Sequence, residues 1–270
     1  GKTMTSDNVI LVAGGDLRQQ YAARRLRQKT GADVWTLGLP AQSGLHSAET
    51  LEEVPAYDVL VLPVPASPDG TTVPAPFGKA ALPLETLAAH GKPGALVLGG
   101  ACGGILPWLE SRGLAAADYL RREELCLANA VPSAEGAIQI AMEETARTLH
   151  GTAALVIGYG RIGMALAPRL RGLGMDVTVC ARRCETRALA EMQGFAAVPT
   201  EQLPAAAKAA LVIFNTVPAL VLDETVLKGL PQETLVIDLA SRPGGTDFEA
   251  AKRLRTRVVW ALSLPPEMRR

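Results

Sequence analysis

Histidine and cysteine are both scarce in this 270-residue chain, and their scarcity narrows the chemistry before any motif is read. There are three histidines and four cysteines, Cys102, Cys126, Cys180 and Cys184, with no C-x-x-C and no paired histidine spacing. No metal site and no disulfide framework is therefore expected, and the thiols read as reduced and mostly packed. Charge of one sign is equally lacking, since 27 Lys plus Arg balance 27 Asp plus Glu. No global field recruits nucleic acid or an anionic membrane, so any anion binding must be local. No apolar run approaches the roughly 18 residues of a membrane span. Gly1-Lys2-Thr3-Met4-Thr5-Ser6 lacks the apolar stretch of a secretory signal, and the cytoplasm is the expected compartment.

What is present is the composition of a globular chain, 48% hydrophobic and 20% charged, with length for two domains of ordinary size. The stretch that organises it is 153–183. Ala153-Ala154-Leu155-Val156-Ile157 reads as a strand, Gly158-Tyr159-Gly160-Arg161-Ile162-Gly163 as a turn, 164–173 as a helix and 177–180 as a second strand. In this G-x-G-x-x-G spacing Gly158 turns the chain, Gly160 lets a pyrophosphate approach the backbone, and Gly163 lets helix and strand pack closely. The helix start then offers N–H groups and a positive dipole end to a phosphate. A plain strand-to-helix turn is the alternative and accounts for two of the three glycines.

The end of the second strand bears on which dinucleotide is bound. An NAD site places an acid about 20 residues after the glycines to hold the ribose. Here Ala181-Arg182-Arg183 stand at that end, and Asp176 sits a strand's length away. A guanidinium grips a 2′-phosphate with paired charge-assisted hydrogen bonds, whereas a carboxylate repels it. NADP is therefore the expected cofactor, against the alternative that Arg182 and Arg183 are solvated loop charges.

The N-terminal half reads as a second doubly wound unit, with strands at 9–13, 33–37 and 58–62 and a helix over 17–29. Gly14-Gly15-Asp16-Leu17-Arg18 resembles the dinucleotide turn without its third glycine. Arg18 there is either a substrate carboxylate ligand or a surface arginine. A proline-rich segment, 63–83, follows a strand's carboxyl end, where long irregular loops tend to be functional. Further strands are expected at 95–98 and 125–127, with a helix from about Leu106. Pro132-Ser133 reads as a helix start with Ser133 as N-cap, opening one long helix over 134–149. The expected architecture is α/β, two doubly wound parallel-sheet (Rossmann-like) domains joined by a long helix with a cleft between them. Its parts are an N-terminal substrate domain (1–132), a connecting helix (133–150) and an NADP-binding domain (151–270). Asn129, Ser133 and Glu135 then lie near the substrate, although Glu135 serves equally well as a first-turn acid. The strand ends Asn215-Thr216-Val217-Pro218 and Asp238-Leu239-Ala240-Ser241 fall on the carboxyl edge of the sheet, where open sheets bind ligands.

Taken together, Gly14-Gly15-Asp16 with Arg18-Gln19, Pro132-Ser133-Ala134-Glu135-Gly136, the glycine turn at 158–163, Asn215-Thr216-Val217-Pro218 and Asp238-Leu239-Ala240-Ser241-Arg242-Pro243-Gly244-Gly245-Thr246-Asp247-Phe248 are specific. This set resembles the dipicolinate synthase A-subunit family over nearly the whole chain, from Val9 to about Pro265. The resemblance implies a sporulation enzyme, acting in the mother cell, that oxidises dihydrodipicolinate to dipicolinate with NADP. It also implies, as partner, a flavoprotein-like B subunit, with a layout similar to alanine dehydrogenase. Members of that family continue past Leu262-Ser263-Leu264-Pro265 with a glycine-containing loop and a further helix, which this sequence does not contain.

On this reading the cofactor lies across Gly158, Tyr159, Gly160, Arg161, Ile162 and Gly163, with its 2′-phosphate near Arg182 and Arg183. Its nicotinamide lies near Asn215, Thr216, Val217, Pro218, Asp238, Leu239, Ala240 and Ser241. The dicarboxylate substrate needs cationic or N–H partners, for which Arg18 and Arg242 are the candidates, with Asn129 and Ser133 beside them. Glu135 is the first candidate for a base, and Arg18 and Ser133 complete the catalytic set. His46, His90 and His150 are expected to be structural. A dehydrogenase of a linear amino or hydroxy acid, and an NADP-binding protein whose partner performs the chemistry, are the rival readings. A homo-oligomer is compatible with all of them.

Overall fold

Val9–Ala13 has no polar member and is buried along its whole length. Such an uninterrupted apolar strand has both faces covered, as in a parallel sheet clothed by helices on its two sides. The structure, a computed structural model, describes residues 4–261, so Leu262-Ser263-Leu264-Pro265 lies outside the described residues. The chain divides into two compact units with the boundary between Leu125 and Cys126.

In the first unit β1 (Val9–Ala13) leads into α1 (Leu17–Thr30). That helix starts behind Asp16, whose carboxylate accepts the Arg18 N–H, and stops at Gly31 in the left-handed region (φ 69°). β2 (Asp33–Leu37), β3 (His46–Ala48), β4 (Tyr57–Val61), β5 (Thr72–Val73), β6 (Leu82–Pro83), α2 (Leu84–Ala89), β7 (Gly91–Gly99), α3 (Leu106–Ser111) and β8 (Ala115–Asp118) follow. The sheet is parallel in the order β3-β2-β1-β4-β7-β8, with β5 and β6 forming a separate antiparallel pair.

After β8 comes α4 (Glu123–Glu144), then β9 (Ala153–Ile157), α5 (Arg161–Gly172), β10 (Asp176–Cys180), α6 (Cys184–Met192), β11 (Ala196–Val198) and α7 (Leu203–Ala209). The second unit ends with β12 (Val212–Asn215), α8 (Glu224–Lys228), β13 (Leu235–Asp238), α9 (Phe248–Leu254) and β14 (Arg257–Trp260). Its sheet is parallel as well, in the order β11-β10-β9-β12-β13-β14. The two sheets thus share one winding. In each, the chain builds three strands outward from the centre, returns, and builds outward on the other side. The crevice outside the carboxyl ends of the central pair, β1/β4 or β9/β12, is where such sheets bind ligands.

Successive residues of β9 face opposite sides. Val156 joins a core with Ala134, Ala137 and Ala141 of α4 and Leu166 and Leu170 of α5. Leu155 and Ile157 join the other, with helices α7, α8 and α9. The small residues of α4 let that helix lie close on the sheet.

The α4 boundaries correct the sequence reading. Leu125-Cys126-Leu127, expected as a strand, is helical, and the helix ends at Glu144 rather than Leu149. Ser133 is not an N-cap. It lies inside α4, after Pro132, and its Oγ donates back to the Asn129 carbonyl at 3.0 Å. A proline normally opens a helix because it lacks an N–H. Here apolar packing of the alanine face carries the helix through it.

Candidate functional site

At the carboxyl end of β9 the three glycines of the second unit have different reasons to be glycine. Gly158 sits at φ 88°, and a Cβ there would fall 2.3 Å from Thr216 Oγ1. Thr216 cannot retreat freely, because its Oγ1 and its N–H both donate to the Ile157 carbonyl, at 2.8 and 2.9 Å. Gly163 faces the Gly158 carbonyl, 2.4 Å from where a Cβ would lie, so the first turn of α5 rests directly on the glycine turn. Gly160 differs from both. It has an ordinary φ of −88°, and a Cβ there would meet nothing within 4 Å. The fold itself makes no demand for glycine at this position. Gly160 is also the N-cap of α5, which has no capping side chain and no acid in its first turn. The leading N–H groups of a helix without such a cap suit an anion.

The flanking side chains sort themselves by burial. Tyr159 is turned into the core, its ring edge-on to Phe195 and its hydroxyl donating to Gln193 Oε1. Only its main chain belongs to the turn. Arg161 is exposed and Ile162 half-buried.

Past the end of β10, Ala181 is buried while Arg182 and Arg183 are exposed. Arg183 Nε donates to Glu185 Oε1 at 2.6 Å. The Glu185 carboxyl is held down to about 2, by its own main-chain N–H first and by Arg183 and Cys184 next. Among the described residues the Arg182 side chain makes no hydrogen bond or ion pair, although its carbonyl accepts Arg187 Nη1 at 2.7 Å. Asp176 is the first residue of β10, at the opposite end of the strand. The two arginines, equal in the sequence reading, are therefore unequal here.

Asn215 and Asp238 end β12 and β13 side by side in register, and both side chains are fully buried. The Asp238 carboxylate accepts Asn215 Nδ2 (3.0 Å), Ala240 N–H (3.0 Å), Gly245 N–H (2.8 Å) and Thr246 Oγ1 (2.7 Å). The Asn215 amide also spans Val217, giving to its carbonyl and accepting its N–H. These two polar side chains are spent inside the protein, which differs from the expectation that they face a ligand. Their work is to fix the segments after the strands. Pro218, Ser241 and Arg242 are exposed, Thr216, Val217 and Leu239 are half-buried, and Ala240 is buried. The Arg242 guanidinium lies 5.6 Å from the centre of the Trp260 ring, whose Nε1 donates to the Ala240 carbonyl at 3.0 Å.

On α4, Asn129 and Glu135 are exposed and Ser133 is half-buried. Because the helix begins at Glu123, Glu135 is not a first-turn acid, and the Ser133 main chain offers no helix-start N–H groups. Both expectations rested on the misplaced helix start.

The carboxyl edge of the first sheet is built differently. Gly14 and Gly15 have φ of 69° and 80°, but a Cβ on Gly14 would fall 2.5 Å from the Pro74 carbonyl. The Gly15 N–H donates to that same carbonyl at 2.7 Å. The proline-rich segment of the sequence reading therefore lies over the glycine turn, where a phosphate would approach. Asp16 takes the helix-start N–H of Arg18 and also grips the Arg18 guanidinium, at 2.7 Å from Nη2 and 2.9 Å from Nε. Arg18 keeps a side-chain exposure of 48%. Gln19, in the same helical turn, is 7% exposed, and its Nε2 is buried without a hydrogen-bond partner. A buried amide left unpaired costs about 1–3 kcal/mol. Tyr119, after β8, donates to the Leu62 carbonyl at 3.0 Å, and burial pushes its hydroxyl up to about 12.

None of the histidines stands at a carboxyl edge. His46 opens β3, stacks on Trp35 and pairs with Asp33 at 3.3 Å. His90 precedes β7 and is bound to the Val54 carbonyl, and His150 precedes β9 against Gly174. All three sit toward the amino ends of strands, away from the edge that binds ligands. All four cysteines are free thiols, with Cys102 and Cys180 buried. Among the described residues no helix is long and apolar enough to cross a membrane.

Residues 9–120 match the N-terminal domain of the dipicolinate synthase A subunit, and residues 127–242 match the NAD-binding domain of D-isomer specific 2-hydroxyacid dehydrogenases. The dipicolinate synthase A subunit of Bacillus subtilis (strain 168) is 31% identical over 265 residues, covering 95% of this chain and 88% of that one. The crystal structure of the dipicolinate synthase A subunit from Bacillus halodurans superposes with a TM-score of 0.86 at 28% identity, covering 95% of this chain and 90% of the other. The Bacillus subtilis structure gives 0.83 at 29% identity, covering 95% and 88%. With a doubly wound NAD-binding unit and a relative of this identity along nearly its whole length, the chain belongs to the dipicolinate synthase A-subunit family.

Proposed function

We infer that this chain is an NADP-dependent oxidoreductase that converts dihydrodipicolinate to dipicolinate. The observation that carries the reading is Gly160, a glycine that no neighbouring protein atom requires, in front of a helix start with no capping side chain. A phosphate close to the main chain supplies the missing reason, and Gly158 and Gly163 hold the turn that presents it. Arg182, with no protein partner among the described residues, fits the 2′-phosphate that separates NADP from NAD. Once bound, this cofactor supplies a hydride acceptor.

The part of the chain itself is to bind and to orient. Thr216, Val217, Pro218, Leu239, Ala240 and Ser241 form the carboxyl-edge segments that receive the nicotinamide end, and the Asn215–Asp238 tie keeps those segments in place. Arg18 and Arg242 are the cationic groups for the substrate carboxylates, with Asn129 and Ser133 as lesser polar partners. Loss of a hydride and a ring proton makes the substrate ring aromatic, so positioning matters more than a strong base. Glu135 is the candidate to accept the proton. The family name supports a B subunit for partner, and a place in the mother-cell cytoplasm of a sporulating bacterium.

A small 2-hydroxy acid is the second substrate reading, favoured by the match of residues 127–242 to 2-hydroxyacid dehydrogenases. The test is NADP+ reduction by the purified chain, with and without the B subunit, on freshly generated dihydrodipicolinate, D-lactate and L-alanine. Turnover on dihydrodipicolinate alone supports the proposal. Turnover on lactate or alanine instead overturns its substrate. Turnover that needs the B subunit, yet survives Glu135→Gln and Arg18→Ala, moves the chemistry to the partner.

A further inference from the structure

We propose that Gln19 is a substrate-recognition residue, whose side-chain amide donates to a carboxylate oxygen of the substrate at the carboxyl edge of the first sheet. This deepens the reading above and rests on it for the identity of the dicarboxylate.

The starting point is the unpartnered Gln19 Nε2, in a side chain only 7% exposed. Native proteins leave few buried donors unpaired, and each such group calls for a reason. Its direction follows from the helix. Side chains in an α-helix lean back toward the N-terminus, and Gln19 lies in the first turn of α1. Its side chain therefore runs toward the turn at Gly14-Gly15-Asp16. The missing Cβ of Gly15 confirms the direction, since an atom there would fall 2.6 Å from Gln19 Cγ and 2.6 Å from Pro63 Cβ. Gly15 ends the strand β1 and Pro63 follows β4. The amide thus sits where the two central strands of the sheet part, the position at which a doubly wound sheet takes its ligand.

The surroundings favour an anionic oxygen over a neutral one. The amide lies at the positive end of a 14-residue helix. The one carboxylate in that turn, Asp16, is already compensated by Arg18, with contacts of 2.7 to 3.0 Å. A dinucleotide phosphate is a poor fit, because the Val73-Pro74 segment covers Gly14 and Asp16 takes a helix-start N–H. A carboxylate, smaller and planar, needs only the amide edge. The terminal torsion of glutamine is broad and roughly two-fold, so the N–H groups can meet a ligand from either side without repacking of the stem.

The test is calorimetric titration of the full-length chain, wild type, Gln19→Met and Gln19→Glu, with dipicolinate, pyridine-2-carboxylate, D-lactate and NADP+, alongside thermal melts. The expected result is at least a tenfold loss of dipicolinate affinity in Gln19→Met and a larger loss in Gln19→Glu, with NADP+ affinity unchanged. The Gln19→Met melting temperature should be equal or higher, because an apolar side chain removes an unpaired amide. An internal structural role predicts the reverse, a lower melting temperature with carboxylate affinity intact, and would overturn the assignment. If dipicolinate binds the wild type and either folded variant equally, the Gln19 assignment falls and the dicarboxylate reading stands. If dipicolinate does not bind but lactate or pyridine-2-carboxylate does, and Gln19→Met weakens it, Gln19 stands and the dicarboxylate reading falls. A wild-type chain that binds none of the three carboxylates overturns the proposal.

Discussion

The Asn215 amide donates to the Asp238 carboxylate at 3.0 Å, and neither residue has any exposed surface. This pair ties the ends of two adjacent strands and, through Asp238, a loop that reaches Thr246. Removing the carboxylate leaves Asn215 Nδ2, the Ala240 and Gly245 N–H groups and Thr246 Oγ1 without their acceptor. Asp238→Ala is therefore expected to cost about 3–5 kcal/mol of stability by urea denaturation, within the range for breaking a buried charged network. A loss under about 1 kcal/mol would mean that the network is dispensable.

Gly163 should be intolerant of even one methyl group. Its added Cβ would lie 2.4 Å from the Gly158 carbonyl, a main-chain atom that cannot swing away. Gly163→Ala is expected to lose about 1–3 kcal/mol, as overpacked sites do, and to lose dinucleotide affinity with it because the turn must shift. Unchanged melting and binding in this variant would contradict the packing role.

Asp58 ties the amino edge of the first sheet, accepting the Val9 N–H and Lys92 Nζ, each at 2.8 Å. Burial works to raise its pKa, but these hydrogen bonds and the Lys92 charge outweigh it and hold the carboxyl below its usual value. A lowered folded pKa means stability that is present above the unfolded value of about 3.9 and lost as pH falls through the folded one. At pH 7 the wild type should exceed Asp58→Asn by about 0.5–1 kcal/mol, a partly exposed pair being worth no more. Parallel melts should show the gap closing below about pH 4. A gap that widens in acid would reverse the assigned sign.

Of the two arginines after β10, only one has its guanidinium tied to a protein carboxylate. Arg182→Asp should therefore weaken NADP+ by about tenfold or more, the worth of a charge-assisted contact, while NAD+ changes far less. Arg183→Ala should have the smaller effect. Equal losses for both dinucleotides would take the 2′-phosphate away from Arg182.

Much of the second unit was legible in the sequence because its signals are local. Continuous apolar runs gave β1, β9 and β13, and the glycine spacing gave the turn that joins β9 to α5. The start of α4 was not legible, because Pro132 and Ser133 imitate a helix start while the packing that overrides them comes from a distant sheet. Asn215 and Asp238 were correctly placed at strand ends, but polarity alone does not say whether such a side chain meets a ligand or its neighbour. Gln19 drew no attention as a functional residue, since a glutamine in a helix is ordinary until its amide is found buried and unpaired. The rule that helical side chains lean toward the N-terminus was the signal that pointed it at the glycine turn.

The most direct measurement is a calorimetric titration of NADP+ into the full-length wild type and Gly160→Val, with melts of both. Gly160 has room for a side chain and no φ that requires glycine. The variant should fold and melt within a few degrees of the wild type, and should bind NADP+ at least about a hundredfold more weakly because the added side chain fills the phosphate's place. Equal affinity in the two proteins would contradict the account.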